Sequence, residues 1–291
     1  METALVHASA DRSRRYRGIR VLEVIRARNI TPRMRRVTLG GPEIEGFGTG
    51  PNVKLLIPPA HLQTPEWPLS GSDGRAIWPA ADRRPTVRTY SLRRFDPAAG
   101  EIDIDFVLHG EHGVASRWAA TARPGDVVGI GGPGGRTVSS AGFYLLAGDH
   151  TALPAISAIL EKLPADARGH AFIQVPDAAE EQSLTRPAGV SLTWLHDAAS
   201  MQPHTTPLED AVRAMPWSSD QTMFAWIGCE SSTVRALKSF VRDERGLDRR
   251  NFLAVGYWRR GMTESAYHEA YNNDRDDDYY KALREDMQIR S

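Results

Sequence analysis

The chain of 291 residues contains one cysteine, Cys229. A single thiol excludes an intrachain disulfide, a four-cysteine zinc site and a cysteine-ligated iron–sulfur cluster. Net charge is lacking as well, since 36 basic residues meet 36 acidic ones. Nothing global therefore points to nucleic acid or an anionic membrane surface, and any anion site has to be a local cluster. No stretch approaches the ~20 apolar residues of a membrane span. The opening METALVHASADRSRRYRG has no apolar run like that of a signal peptide, so a cytoplasmic protein without membrane insertion is expected. The nine histidines are scattered, and the one close pair, His109 and His112, would not share a strand face. No metal site is expected from them. A hydrolytic triad is lacking, and the AGDHTALP turn (147–154) carries no G-x-G-x-x-G.

What is present has two rhythms. Up to about residue 140, short apolar runs at 19–26, 34–40, 53–57, 88–94, 101–109 and 126–131 predict strands. In the fifth, Ile102, Ile104, Phe106 and Leu108 alternate with Asp103, Asp105 and Val107, which predicts one buried face. Strands bounded by Gly, Pro and Asp read as a six-stranded antiparallel β-barrel. The Pro/Gly-rich segment 58–85 reads as a long loop, and GIGGPGG (129–135), ending a barrel strand, as a domain hinge. After residue 141 the runs FYLLAG, AFIQV, VSLTWLH, MFAWIG and FLAVGYW are separated by helix-like segments. Leu153, Ile156, Leu160 and Leu163 share one face of 151–163; Val234, Leu237 and Val241 share one face of 230–245, with Gly246 as a stop. Near-continuous apolar strands between helices mean a parallel sheet covered on both faces. The expected class is α+β with two domains: a barrel over 1–140, and an open parallel α/β sheet over 141–291. From Ser265 a polar tail is expected to pack as a helix, with Asp276 to Asp278 as a solvated surface.

Two motifs carry chemistry. RTYS (88–91) lies on a predicted strand, where Arg88 and Tyr90 share one face and Thr89 and Ser91 the other. A flat ring partners a flat π-system, and a planar multi-donor cation partners a phosphate; an ordinary solvated strand could carry the same residues. In HGEHGVASRWAA (109–120), Gly110 and Gly113 free the backbone for a turn before a short helix. Amide groups near Ala115 and Ser116, with the Ser116 hydroxyl, suit a pyrophosphate at a helix N-terminus. The plain alternative is a polar turn feeding a packing helix, with Trp118 in the core.

Arg-x-Tyr-Ser on a barrel strand ahead of an α/β half resembles the ferredoxin reductase-like flavoproteins. RTYSLRRFDPAAGEIDIDFVLHGEHGVASRWA, RPGDVVGIGGPGG, AGDHTALPAI and GYWRRGMTE together resemble the siderophore-interacting protein family, from about Ile19 to about Glu269. Members of that family are FAD-dependent reductases of ferric siderophores. The resemblance implies FAD in the barrel, with Arg88, Thr89, Tyr90 and Ser91 against the flavin nucleotide. It implies Asp105, Val107 and His109 lining it from the next strand, and Gly113, Ala115 and Ser116 at the diphosphate. It places Asp149, Thr151 and Ala152 near the cofactor at the first strand–helix turn of the second domain. Tyr257 and Trp258 come at the carboxyl ends of the sheet strands, where open α/β folds bind ligands.

A ferric siderophore is the implied substrate, held in a basic groove between the domains for which Arg259, Arg260, Lys238 and Arg235 are candidates. The electron donor stays open among NADH, NADPH and reduced ferredoxin. Glu230 occupies a turn where a nicotinamide would lie, and Cys229 reads as a small buried residue. Relatives often carry an acid where this chain has His150, which bears on the donor site. Two other functions compete: a flavin reductase feeding a partner oxygenase, and a siderophore-binding protein without turnover.

Overall fold

The computed structural model describes residues 15–109, 113–197, 206–217 and 222–289. By contacts the chain divides into two units. The first holds residues up to Arg28, Arg36–Ile104 and Leu108–Gly134; the second holds Asn29–Arg35, Asp105–Val107 and the chain from Gly135 onward.

Strands β1 (Ile19–Thr31), β2 (Met34–Gly40), β3 (Asn52–Ile57), β6 (Thr86–Ser91), β7 (Arg94–Asp96), β8 (Glu101–Val107) and β9 (Val127–Gly134) form one sheet in the order β6-β3-β9-β1-β2-β8-β7. Strands β6 and β7 lie at opposite ends of that order, yet only Leu92 and Arg93 separate them in the chain. Two residues reach about 7 Å, so the sheet must curl until its edges meet. The backbone shows this corner: Leu92 N–H donates to Pro51 O at 2.8 Å, and Arg93 N–H donates to Asp103 O at 3.0 Å. The barrel reading holds, with a seventh short strand because the run 88–94 breaks at that corner. Leu22, Val24, Leu39, Leu55, Ile104 and Ile130 are among its buried side chains.

Three expectations for this half need correction. Strand β8 does not bury one face only, because Asp103 and Asp105 are buried as well. Asp103 is kept there by Thr38 Oγ1, which donates at 2.7 Å, and by Arg94 Nε at 2.7 Å. A buried carboxylate persists where donors replace its water. The 58–85 segment is not a bare loop. It contains the antiparallel pair β4 (Leu69–Ser70) and β5 (Ala76–Ile77), a bridge from Leu69 to Arg15, and an ion pair of Arg83 with Glu66 at 2.6 Å. Finally, most of 129–135 is strand, since Gly131 pairs with both Ile19 and Lys54 inside the ladder of β9, and the two units divide only at its end, between Gly134 and Gly135.

In the second unit, β10 (Phe143–Asp149), β11 (Gly169–Val175), β12 (Val190–His196), β13 (Met223–Glu230) and β14 (Phe252–Trp258) form a parallel sheet in the order β12-β11-β10-β13-β14. Period-two alternation sends Tyr144 and Leu146 to one face, where Leu153, Ile156 and Leu160 of α2 (Leu153–Leu160) pack. It sends Leu145 and Ala147 to the other, under Leu208 and Val212 of α3 (Pro207–Ala214) and Val234 and Leu237 of α4 (Ser231–Ser239). The chain leaves β10 in one direction for β11 and β12, then returns to its other side for β13 and β14. That reversal, at the carboxyl ends of β10 and β13, is the switch point of an open α/β sheet.

The tail is two helices rather than one. Helices α5 (Glu264–Tyr271) and α6 (Asp277–Ile289) are split at Asn272, Asn273 and Asp274, which take φ of 51°, 55° and 55°. Asn and Asp tolerate the left-handed region that ends a helix. Asp276 is not merely solvated, since Lys238 Nζ reaches its carboxylate at 2.6 Å. Among the described residues no helix is long and apolar enough to cross a membrane.

Candidate functional site

In the first unit, β6 carries Arg88, Thr89, Tyr90 and Ser91 on an end strand of the sheet order. Arg88 and Tyr90 are half-buried, and Ser91 is buried. Arg88 Nη1 donates to Val87 O at 2.8 Å. Thr89 faces Lys54 across the β3–β6 ladder, and Lys54 Nζ donates to its hydroxyl at 2.5 Å. Strand alternation therefore separates Thr89 from Arg88 and Tyr90, as the sequence implies.

The turn before α1 (Val114–Thr121) draws together His109, Gly113, Ala115 and Ser116. His109 N–H donates to Ser116 Oγ at 3.3 Å, which ties the end of the β8 segment to the first turn of the helix. Gly113 has φ of 140°, and a Cβ there would lie 2.9 Å from the His109 ring. Only glycine fits both conditions. Gly113, the N-cap residue of α1, has no side chain to cap the first turn, so the N-cap itself takes none of its amide donors. A positive helix end without a side-chain cap suits a diphosphate, and the half-buried Tyr90 ring suits a flat heterocycle, so the residues of this unit fit FAD. Gly110 and His112 lie outside the described residues.

In the second unit, the switch point is organised by Asp149. Its Oδ1 accepts from Thr151 N–H at 2.9 Å and from Thr151 Oγ1 at 2.5 Å; its Oδ2 accepts from Glu230 N–H at 3.0 Å and Trp258 Nε1 at 2.7 Å. A register shift between Cys229 and Glu230 sets Glu230 opposite Trp258, which lets both reach the same carboxylate. Burial pushes the Asp149 carboxyl up, opposed by the Thr151, Trp258 and Glu230 donors. One carboxylate thus clasps the ends of β10, β13 and β14. Ala152 is fully buried and gives its N–H to Asp149 O at 2.9 Å. Tyr257 packs edge-on against Trp226, with ring centroids 6.1 Å apart.

Glu230 caps α4 through Ser232 N–H at 2.6 Å and accepts from Arg260 N–H at 3.2 Å. Burial raises its carboxyl, but these donors prevail and hold it below the usual range. Cys229 faces the core under α4, and burial pushes its thiol well up, which agrees with a packing role. His150 is buried, with Nε2 3.1 Å from Glu180. Burial pushes its pKa down against the pull of Glu180. Glu180 in turn accepts from Thr31 Oγ1 at 2.5 Å and Arg33 N–H at 2.8 Å, so His150 faces a buried carboxylate and not the Asp149 clasp.

The four candidate bases separate. Lys238 is half-buried and paired with Asp276, so it is not a free cation. Arg235 and Arg260 are exposed and Arg259 is half-buried, and none of the three forms an ion pair among the described residues. Tyr271 and Ser231, both in contact with Arg259, were not evident as site residues. The spacing of Tyr267 and Tyr271, one helical turn apart in the tail, is the signal that could have found Tyr271.

Residues 23–137 match the siderophore-interacting FAD-binding domain, and residues 141–261 match the siderophore-interacting protein family. The chain is 34% identical over 257 residues to the ferric vibriobactin reductase of Vibrio cholerae, covering 86% of this chain and 93% of that protein. It is 31% identical over 250 residues to the NADPH-dependent ferric-chelate reductase of Escherichia coli, covering 82% and 92%. The crystal structure of the siderophore-interacting protein of Aeromonas hydrophila superposes with a TM-score of 0.76 at 36% identity, over 88% of this chain and 97% of that one. FAD is accordingly the cofactor and the chain is a flavin oxidoreductase. With matches spanning both the barrel and the parallel sheet, the chain belongs to the siderophore-interacting protein family.

Proposed function

We propose that this protein reduces siderophore-bound Fe(III) to Fe(II) and so releases the metal inside the cell, in the cytoplasm. The observation that carries the reading is the pair Arg259 and Arg260, just past the end of β14 in a chain with a flavin domain, whose guanidinium groups form no ion pair among the described residues. Ferric siderophores hold iron with hard oxygen donors, and Fe(II) binds such ligands far more weakly. Bound FAD would take a hydride from a donor and return the electrons singly. NADPH is the donor this reading favours, supported by the name of the Escherichia coli relative.

The protein's own residues bind and orient. Tyr90 would lie against the flavin ring, Arg88 would meet a phosphate, and the uncapped first turn of α1 would hold the diphosphate. Asp149 holds the Glu230 amide and the Trp258 indole in fixed places at the switch point, where a donor or substrate would bind. Arg259 and Arg260 would draw in a negatively charged chelate, with Arg235 as a further exposed base; Lys238 is left out of that role.

Anaerobic stopped-flow separates this from the rival flavin reductase. The flavin should be reduced by NADPH, NADH or reduced ferredoxin, then reoxidised by at least one ferric siderophore as Fe(II) appears. Rapid reduction followed by no reoxidation across catecholate, hydroxamate and carboxylate chelates would overturn the proposal.

A further inference from the structure

Arg259 has an unusual set of neighbours for a cation beside an acid-rich segment. Its guanidinium carbon lies 4.1 Å from the centre of the Tyr271 ring, and Nη1 donates to Ser231 Oγ at 3.3 Å. Among the described residues no carboxylate pairs with it. A ring face and a hydroxyl hold the side chain in place without cancelling its charge. A planar cation with five donors keeps most of them for a ligand. Lys238 shows the contrast, because its charge is met by Asp276 at 2.6 Å.

Both neighbours are themselves fixed. Ser231 is fully buried as the first residue of α4. Tyr271 ends α5, with its ring centroid 6.2 Å from that of Tyr267. Tyr267 is fully buried, and its hydroxyl donates to Asp274 at 2.5 Å. It sits directly on β14, since a Cβ at Gly256 would lie 1.6 Å from the Tyr267 hydroxyl. Helix α5 is thus seated on the strand three residues before Arg259, and Tyr271 reaches from that helix to the guanidinium. Tyr271 is 42% exposed.

We propose that Tyr271 is a positioning residue for Arg259, holding the guanidinium oriented with its charge unpaired, so that the site favours anionic ferric chelates over neutral ones. The proposal rests on the reading that Arg259 meets the siderophore. Without the ring, the arginine keeps its charge but samples many rotamers, so encounter survives while the held geometry is lost.

The test uses the FAD-loaded protein and two redox-inert probes, an anionic gallium(III) tris-catecholate and a neutral gallium(III) trihydroxamate. Binding is followed by tryptophan fluorescence, and KM and kcat are measured with the matching iron chelates. Tyr271→Leu should weaken the anionic probe about 2–5-fold, the range of a partly exposed cation–π contact. The loss should fall on KM rather than kcat and spare the neutral probe. Tyr271→Phe, which keeps the ring, should restore wild-type affinity. Normal anionic binding by Tyr271→Leu, alongside weakened binding by Arg259→Ala, would sink the positioning role and leave the substrate reading intact. Normal binding by Arg259→Ala would instead sink the substrate reading itself. Equal losses for both probes, with a lowered melting temperature, would make Tyr271 a support of the fold and refute the proposal.

Discussion

Lys238 offers a direct conflict between sequence and structure, because it reads as a siderophore-binding base and is found in an ion pair. The perturbation of choice is Lys238→Met, which keeps most of the alkyl stem and removes the charge. Lys238 Nζ lies 2.6 Å from Asp276 Oδ2, with side-chain exposures of 11% and 39%. A fully exposed pair contributes about 0–1 kcal/mol, and breaking a fully buried one costs about 3–5 kcal/mol. Asp276 keeps water on one side and the Tyr279 N–H at 3.0 Å, so the loss here should be about 1–2 kcal/mol. For a chain of this size that lowers Tm by about 2–8 °C. Burial raises the Asp276 carboxyl, but Lys238 and the Tyr279 amide outweigh it, and the net pKa lies below the usual value. A carboxyl with a depressed folded pKa stabilises above its unfolded pKa, near 4, and loses that contribution as pH falls through the folded value. The difference between Lys238→Met and the unaltered protein, followed by circular dichroism, should therefore be full at pH 7 and shrink on acidification below about 4. Asp276→Asn should lower Tm too, and the double variant should lose less than the sum. An unchanged Tm with a raised KM for an anionic ferric chelate would refute this and return Lys238 to the siderophore groove.

The parts legible in the sequence are those governed by short-range periodicity. Leu153, Ile156 and Leu160 repeat at helical spacing, and FYLLAG is apolar on both sides, so α2 and the central strand are written locally. The side chains that misled are those whose environment is set by distant segments. Asp103 and Asp105 alternate with apolar residues as solvent-facing acids would, but the curled sheet buries them, and Thr38, 65 positions away, supplies the donor for Asp103. Lys238 and Asp276 are 38 positions apart, and nothing within α4 announces the partner. GIGGPGG reads as a hinge because glycine and proline usually interrupt strands; the units do divide at its end, after Gly134, but β1 and β3 flank the rest and complete its ladder. At the site, the family resemblance is what places Asp149 at the first strand–helix turn of the second domain. Its full set of four donors could not be placed so, because two come from Thr151 in the turn after β10 and the other two from the ends of β13 and β14.

The remaining predictions concern the flavin turn and the Asp149 clasp. Gly113→Ala must place a Cβ at φ of 140° and within 2.9 Å of His109, so the turn ahead of α1 should distort. The protein should stay folded but lose FAD on gel filtration, read as the ratio of flavin to protein absorbance; full retention would remove this turn from the cofactor site. Trp258→Phe keeps a ring but deletes the 2.7 Å donor to Asp149. A hydrogen bond to a charged group contributes about 1.5–3 kcal/mol, and with Trp258 at 37% exposure water can replace part of it, so about 1 kcal/mol should be lost at pH 7. The sign of the pH dependence follows from Asp149. Burial already raises its carboxyl above the usual value, and removing a donor raises it further. A carboxyl with a raised folded pKa is costly when ionised, so the penalty of the variant is largest at neutral pH and shrinks as pH falls through the raised value. Urea unfolding at pH 7 and at about pH 4.5 measures it. A loss of the same size at both pH values would mean that Trp258 contributes through packing alone, and that the Asp149 carboxylate does not hold the end of β14.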